Sequence, residues 1–274
     1  MKKDKYILIY DESCPMCVAY TSLFVKTGFL TPEERKSFTQ AGENWLTLAD
    51  FKRSRNEIPF VNLTTGETFY GIEALLEILN RKIPFIKTVG NFNPVKYCLR
   101  ILYKLISYNR KVIVGNKTKF NCVDCTPDYK FNYRLLFILL SFMFITLMLV
   151  PIHAKILTAI PFYRLSFEQL LLAHLSIVFL NTFIGILLKG KKGMEYLGQM
   201  NMLALSAILL NVPLLLIHYI IEVHYLFDVV YLSGLTMLLV FDYFRRIDFA
   251  ELESNKKIVT VNLFTFTILI ATLF

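Results

Sequence analysis

Histidine is scarce in this chain. Four occur in 274 residues, and all four, His153, His174, His218 and His224, come after residue 132. The first 132 residues therefore cannot build a Cys–His pair from within themselves, which argues against a cysteine protease. Cysteine is sparse too, with five residues at positions 14, 17, 98, 122 and 125. The start, Met1-Lys2-Lys3-Asp4-Lys5, is basic, but the apolar run behind it is too short for a signal-peptide core. The expectation is an amino-terminal half that stays in the cytoplasm, where cysteines serve redox or metal chemistry rather than structural disulfides. No Arg/Lys motif with interleaved aromatics is present, so no nucleic-acid partner is expected. No His-x-x-His or denser ligand pattern marks haem or a metal. Neither a metal nor a bound cofactor is expected.

Apolar residues, by contrast, are in excess. They make up 55% of the chain, and the mean hydropathy is +0.50, too apolar for an ordinary soluble protein. The excess lies after residue 132, in runs at roughly 133–152, 167–188, 200–221, 225–244 and 258–274. The first four approach or exceed what about 30 Å of hydrocarbon requires of a helix, and the fifth is at the short limit. Residues 1–132 carry 20 Lys and Arg against 13 Asp and Glu, a net of +7, while the remainder is near +2. A solvated face against anionic lipid explains the positive charge of the first part. Loop basicity gives an orientation. Lys189, Lys191, Lys192, Arg245, Arg246, Lys256 and Lys257 mark one side, and only Lys155 and Arg164 the other. The basic side belongs with the amino terminus, which predicts a multi-pass protein of the cytoplasmic membrane with its amino-terminal domain inside.

The chemistry gathers at Asp11-Glu12-Ser13-Cys14-Pro15-Met16-Cys17. The run Tyr6–Tyr10 before it reads as a buried strand. After it, Val18, Tyr20, Leu23, Phe24 and Leu30 recur at helical spacing. Cys14 therefore falls at a helix N-terminus, where unpaired N–H groups and the helix dipole favour a thiolate. Pro15 suits the first turn, and Cys17 lies one turn on, within reach for a disulfide. The competing readings are half of a zinc site or two buried thiols. The strand before and the helix after favour a redox site.

Beyond the motif, a helix start is predicted after Thr31, a short strand within Lys36–Gln40, and an amphipathic helix from Trp45 to Phe51 that ends in Lys52-Arg53-Ser54-Arg55. Two β-prone runs around Thr64-Thr65-Gly66-Glu67 predict a hairpin. Ala74, Leu75, Ile78 and Leu79 form the stripe of a following helix. The order β-α-(β)-α-β-β-α is thioredoxin-like.

Three stretches resemble the DCC family of thiol–disulfide oxidoreductases: Tyr10–Cys17 with its Asp-x-x-Cys-x-x-Cys pattern, Gly66–Ala74 across the hairpin into the helix, and, loosely, Tyr108-Asn109-Arg110. The resemblance spans about residues 5–115. It implies an α/β thioredoxin-like domain over 1–115 with dithiol/disulfide activity at Cys14 and Cys17. It also implies a cis-proline at Pro59 beside the active pair. A linker over 116–132 and an all-α transmembrane bundle of four to five helices over 133–274 complete the expected architecture.

Several residues keep two readings. Asp11 can accept a proton from Cys17 if burial raises its pKa, or it can fix the loop through backbone N–H groups. Cys98, inside a helix expected over 94–113, reads as a core thiol. Cys122 and Cys125 form a second Cys-x-x-Cys, which can be a second redox pair, a zinc pair or structural. In the membrane half, His174 and Asn181 are seven apart on one face and are candidates for a bundle-interior polar site. His218, Glu222, His224 and Asp228 read as wet interfacial groups.

Two function classes follow. The first is a membrane-tethered thiol–disulfide oxidoreductase acting on a protein or small-molecule disulfide, with a lipid-soluble quinone or a membrane protein as the exchange partner. The second is a transport or assembly protein whose thioredoxin-like domain binds without turnover.

Overall fold

A computed structural model describes residues 5–41, 49–115, 125–250 and 256–273. The chain forms two compact units, Met1–Arg134 and Leu135–Phe274. It is mostly helical, with one small mixed sheet near the amino terminus.

The first unit is built on strand β1 (Tyr6–Tyr10). Helix α1 (Pro15–Lys26) follows, then a 3₁₀ turn at Pro32–Glu34 and strand β2 (Arg35–Ser37). Next come the short helix α2 (Phe51–Ser54), strands β3 (Pro59–Asn62) and β4 (Thr68–Tyr70), and helix α3 (Ile72–Asn80). Helices α4 (Phe85–Asn91) and α5 (Asn93–Val114) complete the named elements. The sheet order is β2-β1-β3-β4. β1 runs parallel to β2, with Leu8 opposite Arg35, and antiparallel to β3, with Leu8 opposite Phe60. β3 and β4 form the hairpin, with Phe60 opposite Phe69.

β1 is apolar throughout because both its faces are covered. Leu8 and Tyr10 pack with Ile58, Phe60, Ala74 and Ile78, and with Val18, Tyr20 and Phe24 of α1. Ile7 and Ile9 face the other way, onto Phe38, Ala41, Ala49, Val61 and Cys125. Each fully buried aliphatic or aromatic side chain here contributes about 1.5–3 kcal/mol.

Four expectations change at this level. The helix predicted after Thr31 is one 3₁₀ turn, closed by Glu34 accepting the Thr31 N–H at 2.8 Å. It stops because Arg35–Ser37 are taken up in pairing with β1, which also moves the strand start one residue earlier than predicted. Most of the helix expected from Trp45 lies outside the described residues, and helix resumes at Phe51, capped by Asp50 accepting from the Lys52 and Arg53 N–H groups. The Ile58–Pro59 bond is trans; no cis peptide occurs among the described residues. An X–Pro amide prefers trans by about 0.5–1 kcal/mol, and β3 pairs with both neighbours without a kink. Cys98 is exposed, not a core thiol, because the buried face of α5 starts further along, at Leu105.

The second unit consists of helices. They are α6 (Phe131–Lys155, entered from the first unit), α7 (Phe167–Leu188), α8 (Gly190–Ile220), α9 (Tyr225–Phe249) and α10 (Lys256–Leu273). Four of them, α6 to α9, are long and apolar enough to cross a membrane. Their outer faces carry Leu147, Phe179, Ile186, Ile220, Val230 and Phe241, all strongly exposed, as a hydrocarbon surround requires. α7 turns into α8 through Lys189 and Gly190, both at positive φ. One turn either side, Gly185 and Gly193 meet backbone to backbone, and a Cβ on Gly193 would fall on the Gly185 carbonyl oxygen.

Three polar residues here depart from expectation. Asp228 and His218 are buried, not wet. His218 Nε2 sits 2.8 Å from Asp228 Oδ1, because the short 221–224 connection stacks the last turn of α8 on the first of α9. Arg246 is helical and buried rather than in a loop, bonded to Asp242 at 2.7 Å and to Gln199 at 2.9 Å.

Candidate active site at the Cys14–Cys17 dithiol

β1 ends at Tyr10, and a tight turn carries the chain into α1. Asp11 fixes that turn. Its Oδ1 accepts from the Ser13 N–H at 2.9 Å and the Ser13 hydroxyl at 2.6 Å, and its carbonyl accepts the Cys14 N–H. Cys14 is the N-cap of α1, in extended conformation, followed by Pro15 at the first helical position. A serine or aspartate usually stands at such a cap. Here a cysteine stands at the cap without a side-chain cap hydrogen bond, and Cys17 lies one turn on. Both thiols are in the same pocket and both are about 3% exposed.

The two sulfurs differ. The Cys17 thiol donates to Cys14, and this bond does most to lower the Cys14 pKa, to about 6. The Cys17 backbone N–H and the Arg110 charge lower it further, while burial and Asp11 oppose them. Cys17 moves the other way. Its bond to the Cys14 sulfur, its burial and the nearby Asp11 all raise it well above the usual thiol range. Tyr20, on α1, is pushed up chiefly by burial and stays a phenol beside Cys17. Tyr103, on α5, is likewise raised by burial, and its hydroxyl accepts the Ile58 N–H at 2.9 Å.

Arg110 completes the site. It reaches in from the last turns of α5, its side chain 7% exposed. Nη1 lies 4.0 Å from Cys17 Sγ, and Nη2 lies 3.3 Å from Asp11 Oδ2 and 3.0 Å from the Arg55 carbonyl oxygen. Nη2 also donates to the Cys125 carbonyl oxygen. One guanidinium thus joins α5, the turn between β1 and α1, the end of α2 and the segment after residue 124. That segment is fastened again by Arg55 donating to the Thr126 carbonyl at 2.9 Å, and by a reciprocal pair between Asn56 and Asp128 at 2.9 Å.

Of the residues expected at the site, Cys14, Cys17 and Asp11 come together. Asp11 has both oxygens engaged, by Ser13 and by Arg110, so in this dithiol state it holds the loop and pairs with the cation. Pro59 begins β3, next to the Ile58 amide held by Tyr103. Cys125 contributes its carbonyl, while its side chain packs in the apolar cluster with Ile7, Ile9 and Val61. Cys122 lies outside the described residues. Among the described residues His174 and Asn181 share no partner: His174 meets Thr146 at 3.2 Å and stacks on Phe142, whereas Asn181 accepts from Tyr196 at 2.5 Å. Sequence reasoning assigned no role to Arg110. The signal was available, since Tyr103, Ser107 and Arg110 are spaced i, i+4, i+7 and continue one buried stripe of α5.

A pH profile tests the asymmetry. Iodoacetamide should alkylate Cys14 with a midpoint near pH 6, while Cys17 stays unreactive at and above the free-thiol value of about 8.5. The linked stability follows in sign. Cys14 is lowered on folding, so its contribution is complete above about pH 8.5 and is lost as pH falls through about 6. Taken alone it reaches about 3–4 kcal/mol, and Cys17, raised on folding, works against it above about pH 8.5. The oxidised protein should lack this dependence. Identical midpoints for both thiols would remove the asymmetry.

Compared with protein-family models, with curated proteins and with solved structures, the chain matches none.

Proposed function

We propose that this chain is a membrane-tethered thiol–disulfide oxidoreductase of the DCC type, with Cys14 as the attacking thiol and Cys17 as the resolving one. The observation that carries this is the split between two adjacent sulfurs. One is acidified chiefly by a hydrogen bond from the other; the other is held protonated by that bond and by burial, against the opposing charge of Arg110. The 2-1-3-4 sheet, with β3 antiparallel to its neighbours and the Cys-x-x-Cys turn after β1, supports a thioredoxin-like domain.

The Cys14 thiolate attacks one sulfur of a substrate disulfide. A Cys14–substrate S–S bond forms, the substrate S–S bond breaks, and one thiolate leaves. Cys17 then loses its proton and attacks Cys14 Sγ, closing the Cys14–Cys17 disulfide and releasing the second substrate thiolate. Two electrons pass to the substrate and Cys17 gives up one proton; water supplies the other proton where both product thiols are protonated. The reverse sequence oxidises a dithiol. Arg110 sits where negative charge moves between the sulfurs and Asp11, so it is a positioning and charge-balancing group. The four apolar helices fit a tether in the cytoplasmic membrane with the first unit on its inner side. From there the regenerating electrons are exchanged with a membrane partner.

The test uses the reduced full-length protein in detergent with an aromatic disulfide that releases a coloured thiolate. Cys98 is exposed and reacts as background, so Cys98→Ser is the parent. The expectation is a fast phase that releases two thiolates per chain and disappears in Cys14→Ser. A parent no faster than free cysteine would leave only the non-catalytic binding reading.

A further inference from the structure

The membrane unit holds a cavity of about 280 Å³ between α7, α8, α9 and α10. Its walls are aliphatic, with Leu180, Met200, Leu203 and Leu239 among them, and no charged residue lines it among the described residues. One end is polar. Tyr196 donates to Asn181 Oδ1 at 2.5 Å, and Asn262 Nδ2 donates to the Tyr196 hydroxyl at 3.0 Å and to the Tyr243 hydroxyl at 3.2 Å. This chain of bonds links four helices and leaves one group over. Tyr243, 7% exposed and lining the cavity, accepts from Asn262, but its own O–H has no acceptor among the described residues. A buried hydroxyl donor without a partner costs about 1–3 kcal/mol, and a lipid acyl chain cannot satisfy it.

We propose that this cavity binds the head ring of a lipid-soluble quinone, with a ring carbonyl accepting from Tyr243. The chemistry narrows the occupant. An aliphatic wall in a membrane unit selects an apolar body. A single neutral donor, with no charged residue among the described lining, selects a neutral acceptor oxygen over a carboxylate or phosphate. The volume is nearly twice the roughly 150 Å³ that accommodates benzene, which suits a substituted or fused ring. Met200 offers a thioether to the ring edge. The site stands on the membrane unit alone, apart from the dithiol reading.

The experiment titrates the full-length protein in phospholipid nanodiscs with tetramethylbenzoquinone, whose ring has no free position for thiol addition. The expected result is saturable one-site binding with the quinone carbonyl stretch shifted down in infrared difference spectra. Tyr243→Phe should weaken binding by about 3- to 10-fold, the loss of one hydrogen bond, and abolish the shift. Ala207→Phe, which places a ring in the cavity, should remove binding. Phe179→Ala, on the lipid-facing side at 75% exposure, and Cys14→Ser should bind as the parent does. Absence of saturable binding in a parent with intact helical circular dichroism would overturn the proposal. So would unchanged affinity and carbonyl shift in Tyr243→Phe, or full binding in Ala207→Phe.

Discussion

Arg110→Met should destabilise the amino-terminal unit by about 3–5 kcal/mol. The substitution keeps the length and most of the apolar contact of the side chain but removes its charge. Asp11, 3% exposed, is then left as a buried carboxylate with its Oδ2 partner gone. Removing one member of a buried pair costs far more than the pair contributes, because the remaining charge stays desolvated. The Cys125 and Arg55 carbonyls lose the same donor. Urea unfolding followed by fluorescence of Trp45, the chain's single tryptophan, reports on this part of the sequence. Adding Asp11→Asn should restore much of the loss, since the amide still accepts from Ser13 and carries no charge. The alkylation midpoint of Cys14 should rise in Arg110→Met, because a cation that lowers it is gone. A loss below about 1 kcal/mol, the scale of a surface pair, would mean that water already reaches the carboxylate.

The second large effect belongs to Cys17→Ser. In the proposed exchange the first attack by Cys14 needs only its thiolate, so a mixed disulfide should still form. Its resolution needs the second sulfur, so turnover stops and thiolate release falls from two per chain to one. The adduct should be with the external substrate. Cys125 is the described member of the second pair, and its side chain lies in the cluster with Ile7 and Ile9, on the face of β1 away from Val18 and Tyr20 of α1. Peptide mapping decides. A Cys14 peptide carrying the substrate thiol agrees with this geometry, whereas one joined to the peptide holding Cys122 and Cys125 would establish an internal relay.

Much of the first unit was legible because its signals are local. Tyr6–Tyr10 is an unbroken apolar run, which suits a strand buried on both faces. The Gly66 turn separates two β-prone runs, and Cys14-Pro15 puts a cap and a first-turn proline side by side. What was missed depends on residues far apart in the chain. β2 is three residues long because its partner sets its length, and nothing in Arg35-Lys36-Ser37 says so. Arg110 meets Asp11 across 99 positions, and a guanidinium near the end of a helix reads as a solvated charge until its stripe is followed back to Tyr103. Residues 125–128, expected as linker, are held by Arg55, Asn56 and Arg110, none of them nearby in sequence. In the second unit, hydrophobic length located the helices. It was silent on which polar groups would meet, so Asn181 was paired with His174 on its own helix rather than with Tyr196 and, beyond it, Asn262.

The contact between Gly185 and Gly193 bears on the second unit in a different way. Two backbones touching one turn from the Lys189–Gly190 reversal act as a fulcrum: near the turn the helices are as close as main chains allow. Further along, Leu180 of α7 and Leu203 of α8 stand between them, and the cavity opens at that level. A single methyl at position 193 would press on the short arm of this lever and be magnified at the long one. The width of the chamber should therefore respond to side-chain size at position 193, which lies outside it.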